Sequence, residues 1–132
     1  WIYMVGIVIV SHSVKAAEGI KDIAAEVGKP NQPIVAVGGC EDGSLGIDLD
    51  KVELAIEEAD NDDGVILFVD LGSAIICADM IRGNSHFTEK NVHIADAPIL
   101  EGAVIAAIEA SLGSDVKKIL DVAAKVVQIH KI

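Results

Sequence analysis

Four short runs of apolar residues are spaced along the chain and are separated by longer segments of mixed polarity. The runs are residues 5–10, 34–37, 65–69 and 92–95. Their short length, their β-branched residues and their lack of polar alternation are typical of strands that are covered on both faces. The pattern therefore predicts four central strands.

The segments after the first two runs have the spacing of amphipathic helices. Gly28 and Pro30 are expected to end the first helix. Its predicted buried face consists of Ile20, Ile23, Ala24 and Val27. The second helix is expected to begin near Asp50, which stands at capping-box spacing from Glu53. Its predicted buried stripe consists of Val52, Ala55, Ile56 and Ala59.

Three further helices are predicted in the second half of the chain. Residues 73–81, SAIICADMI, are apolar almost all round, so this helix is either deeply buried or part of a subunit contact. Pro98 is expected to open a helix that runs to about Leu112 and stops at Gly113, and Ser114 or Asp115 is expected to cap the next. The buried face of this last helix is predicted to be Val116, Ile119, Leu120, Ala123 and Val127.

The alternation of strands and helices predicts the α/β fold class, with a doubly wound, mainly parallel four-stranded sheet and helices on both faces. Residues 1–132 have the length of one ordinary domain and are interpreted as a single domain. Met4 is a candidate for the natural start, in which case residues 1–3 are not native. Residues 1–10 are too short for a membrane span and lack the basic flank of a signal peptide, so they are interpreted as a strand.

Composition supports this fold, and charge excludes several kinds of partner. Hydrophobic residues make up 52% of the chain, with one Trp, one Tyr and two Phe, so Val, Ile, Leu and Ala must form the core. The net charge of −11 disfavours binding to nucleic acid or to an anionic membrane surface. Cys40 and Cys77 form no CxxC motif and are compatible with a reducing cytoplasm.

Gly, Ser and Asp residues gather in the loops that follow the predicted strands. These loops are residues 11–13, 38–46, 70–74 and 96–98. They meet at one edge of a parallel sheet, where ligands bind at the point of strand-order reversal. Histidines 86, 93 and 130 share no spacing with this set and are interpreted as structural or exposed.

His12 follows the first strand and precedes a helix, where backbone N–H groups favour an anion. A neutral imidazole can attack phosphorus if a carboxylate holds its other nitrogen. Asp70 is the best-placed carboxylate, because it ends the third strand beside the first. Gly72 would allow close approach of the backbone to a phosphate, and Ser73 could cap the next helix and donate to the phosphate. The competing interpretation is that His12 is only a capping or packing residue and that the serines on either side of it are local backbone caps.

Taken together, these loops resemble a known family. IVIVSHS, then Lys15 and Glu18-Gly19, a Gly-rich second loop, GVILFVDLGSA and APILEG occur in that order over roughly residues 4 to 104. They resemble the DhaM family, the phosphotransfer subunits of bacterial phosphoenolpyruvate-dependent dihydroxyacetone kinases. The combination of SHS with DxGSA is far more specific than either motif.

The resemblance implies the mannose-type IIA fold of the sugar phosphotransferase system, with strand order 2-1-3-4, in a cytoplasmic homodimer. It also implies a relay in which HPr phosphorylates His12, and His12 passes the group to ADP bound in DhaL. The ATP formed there phosphorylates dihydroxyacetone held by DhaK. The aspartate that orients the histidine matches Asp70, and this subunit requires no metal or cofactor.

A loose phosphoryl-transfer transition state needs mainly placement and stabilisation of the equatorial oxygens. The predicted cradle for those oxygens is the backbone around Ser13, Gly39, Gly72 and Ser73. Lys15 could offset phosphate charge or contact a partner. One departure concerns the Gly-rich loop, which usually ends in Gly-Thr in the family, whereas Ile47 follows Gly46 here. No role is carried over to Ile47.

Three other interpretations stay open. The phosphoryl group could pass to a IIB sugar-transport domain instead of DhaL. The chain could be a binding module without chemistry, in which His12, Cys40 and Asp70 hold a metal ion. A Ser-His-Asp hydrolase built on Ser44 is less favoured, because DGSLG lacks the first glycine of the GxSxG nucleophile elbow.

Overall fold

A computed structural model describes residues 2–84 and 91–132 of the chain. Its strands are β1 Gly6–Ser11, β2 Ile34–Gly38, β3 Val65–Val69 and β4 Val92–Ile94. Its helices are α1 Val14–Val27, α2 Leu49–Ala59, α3 Gly72–Arg82, α4 Ile99–Ser111 and α5 Val116–Ala124, followed by a 3-10 turn, Lys125–Gln128. None of the described helices is both long and apolar enough to cross a membrane.

The four strands form one parallel sheet with the order β2-β1-β3-β4. This confirms the expected fold class and strand order, and each predicted strand matches an observed strand to within one residue. Val10 on the central strand β1 is in register with Val37 on β2 and with Val69 on β3. Because these strands end at the same level, the loops that leave them converge at the carboxyl edge of the sheet.

Consecutive residues of β1 face opposite layers of the core. Ile7 and Ile9 pack on the side covered by α1, α4 and α5, whereas Val8 and Val10 pack on the side covered by α2 and α3. Phe68 lies fully buried in the first layer. A strand buried on both faces needs apolar residues at every position, which explains the uninterrupted apolar runs.

The predicted buried face of α1 was partly wrong. Ala24 is fully buried and Ile20 packs against the core, but 51% of Ile23 is exposed and Val27 is also exposed. The observed buried stripe runs through Ala17, Ile20 and Ala24, and its two fully buried alanines let the helix approach the sheet closely. The predicted helix end is confirmed, because the Gly28 amide donates to the Ala24 carbonyl.

The predicted start of α2 near Asp50 is confirmed, because the helix begins at Leu49, but the predicted capping residue was wrong. Asp48, not Asp50, caps the helix, because its side chain accepts hydrogen bonds from the amides of Asp50 and Lys51 at 3.0 and 3.4 Å. A cap must precede the first helical residue, which is Leu49 here. The predicted stripe is confirmed as buried and consists of Val52, Ala55, Ile56 and Ala59.

The C-terminal helices follow most of the prediction. Pro98 precedes α4, and the Asp115 side chain caps α5 by accepting from the Lys118 amide at 2.9 Å. The prediction that Val127 is buried was wrong, since 67% of it is exposed while Val126 is buried. The chain leaves the α-helix at residue 125 for a 3-10 turn, whose tighter winding turns Val126 inward.

Helix α3 is apolar on its exposed side as well as on its buried side. Ala74, Ala78 and Ile81 are buried, whereas Ile76 and Met80 are exposed. The expectation of a deeply buried helix was therefore wrong, and the alternative of a subunit contact stays a prediction. Among the remaining histidines, His93 is half-buried and bonds Asn91, and His130 is exposed. His86 lies outside the described residues.

Candidate functional site

The ends of β1 and β3 bring the first and third loops together. Val10 pairs with Val69 in the parallel ladder, so Ser11 and His12 leave β1 beside the point where Asp70 leaves β3. The reversal of strand order lies between these two strands, since β2 flanks β1 on one side and β4 flanks β3 on the other. The carboxylate and the imidazole therefore meet at the switch point of the sheet.

Four hydrogen bonds from described residues converge on the Asp70 carboxylate. Its Oδ2 accepts from the Ser11 hydroxyl at 2.7 Å and from the His12 amide at 2.9 Å. Its Oδ1 accepts from the Leu71 amide at 2.7 Å and lies 3.0 Å from Nδ1 of His12. Each carboxylate oxygen therefore has two partners, and the plane of the carboxylate is fixed relative to the imidazole.

These hydrogen bonds determine the ionisation of Asp70. Burial is the largest single influence and would by itself raise the pKa of this carboxyl group. The donors act in the opposite direction, in the order His12 amide, Ser11 hydroxyl, His12 ring and Leu71 amide, and together they hold the pKa of Asp70 below its ordinary value. Asp70 is therefore an ionised hydrogen-bond acceptor at neutral pH.

The ionised carboxylate fixes the tautomer of a neutral His12. Because Asp70 can only accept, the hydrogen between the two side chains must belong to Nδ1, and the lone pair of the ring lies on Nε2. The side chains of His12 and Asp70 are 23% and 20% exposed, so the pair is reachable from solvent at the sheet edge. An imidazole in this state can act as a nucleophile through Nε2.

The first loop also caps α1. The Ser13 hydroxyl oxygen accepts from the Ala16 amide at 3.2 Å, and the Ser13 amide donates to the Ser11 hydroxyl oxygen at 3.1 Å. Because the Ser13 amide already donates to Ser11, only the hydroxyl hydrogen of Ser13 is left to donate to an anion. Lys15 lies in the first turn of α1 and is exposed.

The Gly-rich second loop packs against the backbone of the first. The Gly46 amide donates to the His12 carbonyl at 2.9 Å. A Cβ on Gly38 would lie 2.5 Å from the Ser11 carbonyl oxygen, and Gly39 has a φ of +72°. Ile47 pairs with Gly39 and packs against the core layer on the α2 side. In this chain the position after Gly46 is therefore an apolar packing position.

The third loop leads into an exposed helix start. Leu71 caps α3 without a side-chain hydrogen bond, and Gly72 is exposed with open space where a Cβ would lie. The first amides of a helix have no acceptor within that helix, so this end of α3 can receive an anion. Ser73 lies in the first turn of α3, and its side chain is outside the described part of the structure.

The fourth loop lies beside the carboxylate. Asp70 and the exposed Asp96 both line a surface cavity of about 280 Å³ between the ends of β3 and β4. The structure thus places all four sequence-predicted loops at one edge. Hydrogen bonds to Asp70 link the first loop, through His12, with the start of α3, through the Leu71 amide.

The geometry gives no support to two of the alternatives. Among the described residues, no three His, Cys, Asp or Glu side chains are arranged to hold a metal ion. The Cys40 sulfur instead lies 3.8 Å from the Leu45 carbonyl oxygen within its own loop. The Ser44 hydroxyl donates to Asp42 at 2.6 Å, so Ser44 belongs to a local turn and not to a Ser-His-Asp arrangement.

Ser11 is the site residue that sequence reasoning missed. It was considered only as a local cap, but its side chain is 3% exposed and donates to the carboxylate that holds His12. The available signal was its position. A small polar residue directly after an apolar buried strand has to find a partner inside the fold.

A comparison with protein-family models identifies the class of protein. The model EIIA-man, described as PTS system fructose IIA component, matches residues 6–120. The chain therefore belongs to the mannose-type IIA family.

Curated relatives then specify the branch of this family. DhaM of Lactococcus lactis subsp. lactis, a phosphotransferase subunit of dihydroxyacetone kinase, is 44% identical over 76% of this chain and 78% of its own length. DhaM of the Listeria innocua dihydroxyacetone kinase 1 is 40% identical over 79% and 80%, respectively. The Providencia stuartii DhaM is 36% identical over 95% of this chain, which spans 27% of that longer relative. The chain is a DhaM-type protein.

Solved structures agree with the fold. A crystal structure described as an unknown function protein, EF1359, is 35% identical, has a TM-score of 0.81 and is matched over 93% of this chain and 95% of its own. The phosphotransferase system component EIIA from Streptococcus agalactiae has a TM-score of 0.67 at 18% identity, with 95% and 91% covered. The second likeness concerns the fold alone.

Proposed function

We infer that residues 1–132 form one phosphotransfer domain that acts as the phosphoryl donor subunit of a phosphoenolpyruvate-dependent dihydroxyacetone kinase. The observation that carries this proposal is the contact between Asp70 and Nδ1 of His12, because it prepares Nε2 as a nucleophile. The names of the relatives, which are phosphoryl donor or phosphotransferase subunits of such kinases, support the same assignment.

In the accepting step, the lone pair of His12 Nε2 forms a bond to phosphorus as the bond between phosphorus and the donor atom of HPr breaks. The electron pair of the broken bond returns to HPr. No proton leaves His12, since the Nδ1 hydrogen stays in its hydrogen bond to Asp70. The positive charge that develops on the ring is stabilised by the adjacent carboxylate.

In the donating step, a terminal oxygen of ADP bound in DhaL attacks the phosphorus. The N–P bond breaks, its electron pair returns to the His12 ring, and ATP is formed. DhaK then presents dihydroxyacetone to this ATP within the same system. No metal or cofactor is needed in the DhaM-type subunit, because the nucleotide belongs to the acceptor.

The oxygens of the transferred group need hydrogen-bond donors during both steps. We assign this role to the first-turn amides of α3 at Gly72 and Ser73, together with Gly39 and the Ser13 hydroxyl. The exposed helix start and the open space at Gly72 support this arrangement. Lys15, which is exposed in the first turn of α1, is proposed to offset the charge of the phosphoryl group or to contact a partner.

The chain is also inferred to act as a homodimer. The exposed apolar residues of α3, among them Ile75, Ile76 and Met80, support a contact that removes them from water. Sedimentation velocity tests this point: dimers are expected, and Ile76→Glu is expected to yield monomers. A monomeric wild-type protein would reject this part of the proposal.

The relay is tested by incubating the protein with phosphoenolpyruvate, enzyme I and HPr and then measuring its intact mass. One acid-labile phosphoryl group is expected on the wild type and on His130→Ala, and none on His12→Ala. The phosphorylated protein is then offered to DhaL with ADP or to a IIB domain. Loss of the group to the IIB domain alone would reject the assignment in favour of a sugar-transport IIA function.

A further inference from the structure

Ser11 is unusual in its surroundings. Among the residues that the structure describes, it is the only buried one with a polar side chain, with 3% of the residue exposed, in a core otherwise made of apolar residues. A buried hydroxyl is tolerated only where hydrogen bonds replace those it makes with water. The partners of Ser11 therefore indicate what the residue does.

Both partners of Ser11 belong to the site. Its hydroxyl donates to Asp70 Oδ2 at 2.7 Å and accepts from the Ser13 amide at 3.1 Å. Because the ionised carboxylate cannot donate, the hydroxyl hydrogen must point at Asp70, and the lone pairs must face Ser13. The direction of each hydrogen bond is thus determined, and the hydroxyl has no alternative orientation that satisfies both groups.

The carboxylate is planar, so the position of one oxygen constrains the other. Ser11 and the His12 amide hold Oδ2, while Oδ1 is the atom that contacts Nδ1 of His12. If the Ser11 donor is lost, the carboxylate keeps one backbone amide on each oxygen, that of His12 on Oδ2 and that of Leu71 on Oδ1. It then lacks the shorter of the two hydrogen bonds to Oδ2, so it is held less tightly in the geometry that keeps the hydrogen on Nδ1. The effect on the imidazole is therefore indirect and passes through Asp70.

We propose that Ser11 is a positioning residue for phosphoryl transfer, whose hydroxyl fixes the Asp70 carboxylate so that His12 keeps its hydrogen on Nδ1 and its lone pair on Nε2. This inference rests on the proposed function, in which Nε2 of His12 takes the phosphoryl group. Ser11 does not touch the transferred group. It acts on the fraction of His12 that is in the reactive tautomer and on the stabilisation of the charged ring.

The test compares Ser11→Ala, which removes the donor, with Ser11→Thr, which keeps a hydroxyl. Single-turnover transfer from phosphorylated HPr at saturating donor is expected to slow by about 10- to 100-fold in Ser11→Ala, the range for loss of one hydrogen bond to a charged group. The rate of Ser11→Thr is expected to stay within about threefold of wild type. Ser114→Ala is the matched control, since Ser114 also donates to a carboxylate, Glu109, but lies between α4 and α5.

Nitrogen NMR of His12 and carbon NMR of Asp70 supply readouts that a loss of packing does not change. In Ser11→Ala the Nε2–H tautomer is expected to appear at neutral pH, and the pKa of Asp70 is expected to rise because a donor to its charged form is gone. Both readouts are expected to be unchanged in Ser114→Ala. They do not require HPr, so they decide the role of Ser11 even if the wild-type protein takes no phosphoryl group and the proposed function fails.

The proposal is overturned if folded Ser11→Ala transfers at the wild-type rate and keeps the Nδ1–H tautomer. A folded Ser11→Thr protein that is as slow as Ser11→Ala also overturns it. If Ser11→Ala does not fold, Ser11→Cys replaces it, because the thiol has a similar size but is a weak donor. Transfer by folded Ser11→Cys at the wild-type rate then rejects the proposal, and slowed transfer with a mixed tautomer supports it.

Discussion

At the scale of single residues, the site depends on how one carboxylate is surrounded. Asp70 accepts from two backbone amides and from the side chains of Ser11 and His12. The two backbone amides are already fixed by the fold. Their hydrogen bonds to the carboxylate therefore cost little additional conformational entropy. The result is a fixed negative charge beside Nδ1 of His12, which favours the tautomer with its hydrogen on Nδ1 and, in the proposed transfer, the charged transition state.

Asp70→Asn is expected to lower stability in a pH-dependent way. The pKa of Asp70 is depressed in the folded protein, so its contribution is present above the unfolded pKa of about 3.9 and is lost as the pH falls through the lower folded pKa. The variant is expected to be less stable by about 1–2 kcal/mol at pH 7, with the difference shrinking below about pH 4. Urea unfolding of both proteins between pH 7 and pH 3 measures it.

The control for this prediction is Asp96→Asn, which changes an exposed carboxylate at the same edge of the sheet. It is expected to leave stability within about 0.5 kcal/mol of wild type. A stability difference for Asp70→Asn that stays constant down to pH 3 would show that the donors do not hold the carboxylate in its charged form.

Sequence reasoning reached His12 and Asp70 but not the full set around them. Asp70 directly follows one apolar run and His12 lies two residues after another, and the parallel arrangement of those runs was enough to place both at one edge. The contacts of the His12 and Leu71 amides depend on the backbone path of each loop, which no residue pattern specifies. Ser11 was missed for the same reason, since in the sequence a serine at the end of a strand cannot be told from a serine that only caps the backbone.

At the scale of elements, the Gly-rich loop packs against the backbone of the first loop. Gly38 is in register with Ser11, and the Gly46 amide bonds the His12 carbonyl. These contacts hold the backbone on both sides of the imidazole. The absence of a side chain at Gly38 is what lets the two loops approach each other.

Gly38→Ala is expected to damage the site and the fold together. The new Cβ would lie 2.5 Å from the Ser11 carbonyl oxygen and 2.8 Å from that of Ser13, and both are backbone atoms that cannot rotate away. A loss of about 1–3 kcal/mol is expected, with changed amide resonances at His12. Gly19→Ala is the control, since nothing lies within 4 Å of its Cβ position in α1, and it is expected to stabilise the protein by about 0.5–1 kcal/mol.

At the end of α5, helical periodicity no longer predicts which side chains are buried. The apolar pattern of Val116, Ile119 and Ala123 was correctly assigned to the buried face, but extending it to Val127 assumed that the helix continued. The chain changes to a 3-10 turn instead. Two adjacent valines gave no indication of which one turns inward.

A pair of truncations tests this correction. Val126→Ala removes two methyl groups from a buried side chain and is expected to cost about 1–2 kcal/mol. Val127→Ala, at an exposed position next to it, is expected to change stability by less than about 0.5 kcal/mol. Equal losses in urea unfolding, or a larger loss for Val127→Ala, would contradict the observed orientation of this turn.

At the scale of the whole molecule, the parallel sheet with helices on both faces could be predicted because it follows from strong and repeated signals, whereas the strand order 2-1-3-4 was expected from the resemblance to the family. Strands that are apolar at every position must be covered by helices on both faces of the sheet. Right-handed crossover connections then allow only a few sheet topologies. The exposed apolar residues of α3 could not be assigned in this way, because burial against the sheet and burial against a second subunit produce the same composition. Whether the exposed face of α3 contacts a second subunit depends on association between chains, and the packing of one chain's core does not determine it.

The net charge of −11 leads to a prediction about partner binding. The proposed donor and acceptor proteins are expected to approach with basic residues near their own phosphate site, so salt will screen the encounter. The second-order rate of transfer from HPr at low protein concentration is expected to fall roughly 10-fold from low to high ionic strength. A rate independent of salt, or one that rises with salt, would contradict electrostatic steering.

The most direct test of the central claim is to identify the phosphorylated nitrogen. The protein is phosphorylated with phosphoenolpyruvate, enzyme I and HPr, and phosphorus and nitrogen NMR then assign the N–P bond. The account predicts a phosphoryl group on Nε2 of His12, with the hydrogen retained on Nδ1 beside Asp70. A phosphoryl group on Nδ1, or on any residue other than His12, would contradict it.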